Sequence, residues 1–249
     1  MSESVRIAAA GDVHCRPAQR EHAIRAFAGL DAKADVLLLA GDLTTHGQPE
    51  QAEVLAEACA PLEMPIVAVL GNHDWHSNDV ESCLPIWEKA GIQVLDRAHV
   101  ILDVGGVEVG VAGVKGFVGG FPGSHLPDFG EPSLRGIYAE AGAEAAALDH
   151  GLREIANCPV RIALLHYAPT SETLVGEPEP IWTYLGTDRL APPIAEHEPD
   201  LVLHGHAHHG TFEGRIGNVP VYNVSVPVMG QDYWVFELSG VERVTTPIH

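Results

Sequence analysis

Two packed β-sheets with helices outside them, an α/β architecture, are predicted by three features of this 249-residue sequence. Over the first seventy residues short apolar runs alternate with segments of helical spacing, the mark of βαβ units around a buried parallel sheet. Further along, Gly105-Gly106 sits between two apolar runs and signals a hairpin, so the chain becomes more antiparallel. Several apolar runs also end in Gly-Asp, Gly-Asn-His-Asp or His, which puts polar side chains at the C-terminal ends of strands, where open α/β sheets bind ligands.

The elements follow in order. Val5–Ala10 is the first strand, and Ala18–Leu30 places Ile24, Phe27 and Leu30 at helical spacing. Val36–Ala40 is a second strand, Glu50–Ala60 a helix and Ile66–Leu70 a third strand. Ser82–Ala90 reads as a helix; Ile92–Leu95, Val100–Val104 and Val107–Ala112 read as strands. Lys115–Arg135 is rich in Gly and Pro and reads as a long loop before a helix at Glu140–Ile155. Arg161–Leu165 is a strand ending at His166, and Pro169–Asp188 is a second long loop. Leu201–Leu203 is a strand leading into His204-Gly205-His206, with Gly214–Val226 and Tyr233–Leu238 as hairpin strands. No repeat or linker interrupts the chain, so residues 1–249 are expected to form a single domain. Loops as long as 115–135 and 169–188 are uncommon in compact domains; each is either a lid beside a site or an oligomer contact.

Composition narrows the function classes. The net charge of −20, with 14 Lys and Arg against 34 Asp and Glu, disfavours nucleic acid and anionic membranes as partners. A phosphate substrate stays open, because divalent cations invert the local potential. No apolar run reaches the roughly 18 residues of a membrane span. The N-terminus lacks the pattern of a signal peptide, so a cytoplasmic location is expected. Cys15, Cys59, Cys83 and Cys158 form no C-x-x-C pair and read as reduced, mostly buried thiols.

Five separated segments deliver ligand-type residues: Asp12 and His14, Asp42, Asn72 and His73, His166, and His206 with His208. Imidazole nitrogen and carboxylate oxygen suit ions such as Mn, Fe and Zn, and a carboxylate can bridge two of them. Two ions roughly 3.5–4 Å apart can activate water and orient a phosphoryl group. Each fragment also has a plain reading. Asp12-Val13-His14 is short, Gly71-Asn72-His73-Asp74 suits a turn, and His204–His209 suits a surface loop. Their joint placement after apolar runs favours a metal centre. His204, His209 and His76 receive no ligand role.

The set Asp12-Val13-His14, Gly41-Asp42, Gly71-Asn72-His73-Asp74, His166 and Gly205-His206-Ala207-His208 resembles the motif series of the calcineurin-like metallophosphoesterase superfamily. All five motifs occur in order. The resemblance implies a four-layer αββα sandwich of two mixed sheets flanked by helices. It implies two divalent ions (Mn, Fe, Zn or Ni), the first held by Asp12, His14 and His208, the second by Asn72, His166 and His206, with Asp42 bridging. His73 would act on the transition state or leaving oxygen without binding metal, and a hydroxide bridging the ions would be the nucleophile.

The chain departs from the protein phosphatases of that superfamily at the second motif, Gly41-Asp42-Leu43-Thr44-Thr45-His46-Gly47. Thr45 stands where an Asp would pair with the catalytic His, and His46 where an Arg would clamp phosphate. Imidazole cannot reproduce a bidentate guanidinium contact. The sequence thus resembles the small bacterial enzymes and class III cyclic-nucleotide phosphodiesterases more closely. His46 and Arg16 are weaker candidates for substrate contact. Phe117, Phe121, Phe129, Trp182 and Tyr184 on the long loops either line a substrate pocket or pack the loops. Hydrolysis of a small-molecule phosphate mono- or diester is the expected activity. A nuclease and a non-catalytic scaffold of the same fold are the alternatives.

Overall fold

The computed structural model describes residues 4–239. The expectations of one domain over 1–249 and of an N-terminus without a leader extend to termini that lie outside the described residues. In chain order the elements are β1 (Ser4–Ala10), α1 (Arg20–Phe27), β2 (Val36–Ala40), α2 (Pro49–Cys59), β3 (Ile66–Val69), α3 (Val80–Lys89), β4 (Ile92–Leu95), β5 (Ala98–Val104), β6 (Val107–Gly113), α4 (Pro132–Glu154), β7 (Val160–Leu164), α5 (Trp182–Leu185), α6 (Ala191–His197), β8 (Leu201–His204), β9 (Glu213–Ile216), β10 (Val219–Asn223), α7 (Val226–Met229) and β11 (Trp234–Ser239).

Two mixed sheets, ordered β11-β1-β2-β3-β4 and β5-β6-β7-β8-β10-β9, pack face to face with helices on their outer surfaces. Alternation along the buried strands sorts their side chains. Ile7, Val36, Leu38, Val67 and Val69 face Val109, Val111, Ile162, Leu164 and Leu203 between the sheets. Ala8, Leu37, Leu39 and Ala68 face outward against Phe27, Leu55 and Trp87 of the first helical layer. Ala112, Ala163 and Val202 meet Leu148, Leu152 and Ile194 of the second. Strands covered on both faces read as nearly continuous apolar runs, interrupted in β1 by Arg6, which is why β1, β2 and β3 are legible in the sequence. The four cysteines are buried and unbridged. Among the described residues no helix is long and apolar enough to cross a membrane.

Four expectations are corrected. The segment Ala18–Leu30 is not one helix: a 3-10 turn at Pro17–Gln19 precedes α1, and another covers Leu30–Ala32. The helix expected from Glu140 begins at Pro132, where proline occupies the first turn and its missing N–H costs nothing. The loop 169–188 is not structureless. It folds as short turns and α5, and is followed by α6, whose Pro192-Pro193 pair hides a helix start. Finally, Tyr233–Leu238 is not a hairpin partner of the preceding strand. β11 crosses to the other sheet and pairs antiparallel with β1, Val5 opposite Leu238.

Candidate metal centre

All the motif segments meet at one edge of the sandwich, because β1, β2, β3, β7 and β8 are oriented so that their C-terminal ends share it. At this edge three groups of side chains have ligand atoms within 4.8 Å of one another: Asp12, His14 and His208; His14, Asp42 and His73; and Asp42, His166 and His206. Asn72 joins the last, its Oδ1 3.0 Å from His166 Nε2. Seven sequence candidates and His73 are therefore brought together. Arg16 and His46 stand apart from the ligand atoms; both are exposed, and the His46 ring lies 6.1 Å from that of His76.

The backbone is bent to make this possible. Asp12, His14, Asp42 and His206 have φ of 58°, 44°, 50° and 70°, the left-handed region that non-glycine residues avoid. Each such residue costs on the order of 1–3 kcal/mol and persists only where surrounding contacts enforce it. Asp74 supplies several of these contacts. Its buried carboxylate accepts the N–H groups of Gly71, Leu43 and Thr44 and the Thr44 hydroxyl, tying the second motif to the third. Gly205 lies so close to Asp12 that an added Cβ would overlap Asp12 Oδ2.

Ring tautomers follow from neighbouring carbonyls. His166 Nδ1–H donates to Ala40 O at 2.8 Å, leaving a lone pair on Nε2. That lone pair faces Asn72 Oδ1 at 3.0 Å and Asp42 Oδ1 at 3.3 Å. Burial holds His166 below the usual histidine range. Three ligand-type atoms thus converge, the arrangement a cation completes once Asp42 is deprotonated. His206 Nε2–H donates to Tyr184 O at 3.1 Å, which frees Nδ1. His208 Nε2 lies 2.8 Å from Asp12 Oδ1. Asp42 Oδ2 and His14 Nδ1 are buried without a hydrogen-bond partner. The donor set and its orphaned atoms fit a pair of divalent ions.

The electrostatics agree. Burial, with the Asp12 and Asp74 charges, pushes Asp42 up to about 8. Burial lowers His14 to about 4 and His206 to about 3. From pH 7.5 to 9 these two imidazoles are largely neutral in folded and unfolded chains alike and give little slope. Asp42 still binds a proton only when folded, so the metal-free protein should lose stability as pH rises through this window. A bound cation requires the carboxylate, so its stabilisation should grow over the same window as binding releases the proton. Thermal melts at several pH values, with and without Mn²⁺, check this. A metal-free melting temperature that rises from pH 7.5 to 9 would contradict it.

Thr45 offers His73 no carboxylate partner, as its side chain implies. The His73 Nδ1–H instead donates to the Thr45 backbone carbonyl at 2.8 Å, so the ring is oriented by main chain and Nε2 points back toward Asp42 Oδ2, 3.9 Å away. Two further residues escaped the sequence reading: Tyr167 packs its ring 4.4 Å from that of His206, and Glu177 accepts the His209 N–H. His204, given no ligand role, is buried and bound to Thr173 Oγ1. The long loops pack together through Gly119, Gly120, Thr183 and Gly186. Phe121 and Trp182 belong to that packing, whereas Phe129 and Tyr184 are exposed.

The fold is shared with solved structures of low sequence identity. The chain is similar to phosphopantetheinyl hydrolase from Mycobacterium tuberculosis (TM-score 0.70, 13% identity, covering 99% of this chain and 100% of that one). It is similar to TT1561 of Thermus thermophilus (0.56, 18%, 94% and 99%) and to GAP50, the anchor in the inner membrane complex of Plasmodium (0.59, 15%, 95% and 81%). No curated protein matches by sequence. A hydrolase and an anchor share this architecture, so fold alone does not assign activity. The model of the calcineurin-like phosphoesterase family matches residues 5–210, the span from β1 through the last of the converging histidines, and the chain belongs to that family.

Proposed function

We propose that this protein is a two-metal phosphoesterase acting on a small-molecule phosphate mono- or diester. The observation that carries the reading is the His166–Asn72–Asp42 convergence, in which a tautomer fixed by Ala40 aims a lone pair at two oxygens. Asp12, His14 and His208 would hold one ion, Asn72, His166 and His206 the other, and Asp42 both. Bound there, the ions would polarise the phosphoryl oxygens and lower the pKa of water in the site. Manganese, iron, zinc and nickel all suit these donors.

The protein's own groups do the rest. His73 Nε2 stands at the edge of the cluster with Nδ1–H anchored on Thr45 O, so it can stabilise or protonate the departing oxygen. The absence of a guanidinium at His46 and of an acid at Thr45 supports a small ester over a phosphoprotein. The charge of −20 supports it over a nucleic acid. A scaffold role would not require the strained backbone at four motif residues, which favours catalysis.

A panel of aryl phosphate mono- and diesters, run with each of the four metals, tests the reading. His73→Ala should lower kcat by roughly 10²–10⁴-fold while metal content stays unchanged. Loss of metal in this variant would make His73 a ligand. Absence of both hydrolysis and bindable metal in the native protein would favour the scaffold.

A further inference from the structure

We propose that Lys115 recognises a second anionic group of the substrate, flanking the phosphate at the metal centre; this deepens the phosphoesterase reading and rests on it. Lys115 follows β6 at the strand end beside β7. Its carbonyl accepts the N–H groups of His166 and Tyr167, both at 3.0 Å, so its backbone is one strand away from a proposed ligand. The side chain is half-buried between two rings, with Nζ 4.4 Å from the centroid of Phe117 and 5.3 Å from that of Tyr167. An ammonium carries three donors. Among the described residues, Nζ makes one hydrogen bond, to Gly116 O at 3.1 Å.

The carboxylates nearby do not fill that capacity. Glu144 gives Oε1 to Arg97 Nε at 2.9 Å and Oε2 to Gly116 N at 2.8 Å. Glu140 is bonded to Arg97. Asp96 contributes only its charge at longer range. A half-buried ammonium with free donors can bind an anion through charge-assisted hydrogen bonds.

Tyr167 connects this cation to the metal centre. Its ring is 5.5 Å from that of His166 and 4.4 Å from that of His206. Its hydroxyl has no hydrogen-bond partner among the described residues. Lys115 and Tyr167 together bring an ammonium and a hydroxyl with uncommitted donors to one flank of the centre, in a chain with 14 basic residues against 34 acidic ones. The substrate class that matches is a phosphate ester bearing a second phosphate or a carboxylate close to the scissile group.

The test uses metal-loaded protein and three non-hydrolysable ligands: methylphosphonate, phosphonoacetate and methylenediphosphonate. Binding is read by calorimetry and by inhibition of aryl phosphate hydrolysis. The native protein should prefer one or both of the ligands with a second anionic group over methylphosphonate, and Lys115→Met should reduce that preference about tenfold, the size of one charge-assisted hydrogen bond. Lys115→Arg should retain it. Preference for methylenediphosphonate alone identifies a second phosphate, and preference for both a general anion site. Equal binding of all three by the native protein overturns the proposal, as does a uniform loss in Lys115→Met, which would mark a structural role beside Glu144. If Lys115→Met does not fold, the native order of affinities still decides. Failure of the metal-loaded native protein to bind methylphosphonate or hydrolyse any ester would overturn the phosphoesterase reading itself.

Discussion

Asp42→Ala should reduce hydrolysis by about a thousandfold or more, at least ~4 kcal/mol of barrier, and should lower metal content below two ions per chain. The side chain is fully buried and its two oxygens serve different neighbours. Oδ1 accepts the His73 N–H at 2.8 Å and lies 3.3 Å from His166 Nε2. Oδ2 makes no hydrogen bond and lies 3.8 Å from His14 Nε2, a residue of the other proposed ligand set. The variant should also separate function from stability. Since burial and the neighbouring Asp12 and Asp74 push Asp42 up to about 8, the carboxylate is a burden on the metal-free fold. Metal-free Asp42→Ala should therefore melt no lower than the native protein near pH 8, while the stabilisation gained on adding Mn²⁺ should largely vanish. Elemental analysis, kinetics and melting curves read the three consequences. A variant with full metal content and native rate would remove the two-metal model.

The parts of this arrangement that the sequence reveals are those that side-chain identity must supply. Asp12, His14, Asp42, Asn72, His166, His206 and His208 carry lone pairs that no backbone group at those points replaces, and each follows a strand whose double-sided burial leaves a nearly continuous apolar run. The parts that stay hidden are carried by main chain and by tertiary neighbours. Thr45 orients His73 through a carbonyl, which any residue offers. Ala40 fixes the His166 tautomer in the same way. Lys115 and Tyr167 reach the centre only because β6 and β7 are adjacent. The early start of α4 is masked by Gly136, whose lack of a side chain weakens helix propensity without preventing a helix that packs elsewhere along its length. The placement of β11 beside β1 depends on pairing across more than two hundred residues, which local alternation does not encode.

Gly71→Ala should destabilise the fold and weaken metal binding together, for a steric reason that leaves conformational preference aside. The φ of Gly71 is not positive, so alanine suits the backbone and would by itself stabilise by about 0.4–1 kcal/mol. The added Cβ, however, would overlap both Asp42 Oδ1 and the Asp42 backbone nitrogen. Relief by backbone movement is blocked, since Asp74 binds Gly71 N at 2.8 Å and also the amides of Leu43 and Thr44 on the opposing strand end. Relief by moving Asp42 displaces the carboxylate proposed to bridge the ions. Overpacking of this kind costs about 1–3 kcal/mol or more, a melting-temperature loss of roughly 3–10 °C for a chain of this size. Gly136→Ala is the matched control, because a Cβ there meets nothing within 4 Å and lies inside a helix. It should be neutral or stabilising by up to ~1 kcal/mol and should leave Mn²⁺ affinity unchanged. If Gly71→Ala instead behaves like Gly136→Ala in both melting and metal titration, the close approach of the third motif to Asp42 does not position the metal centre.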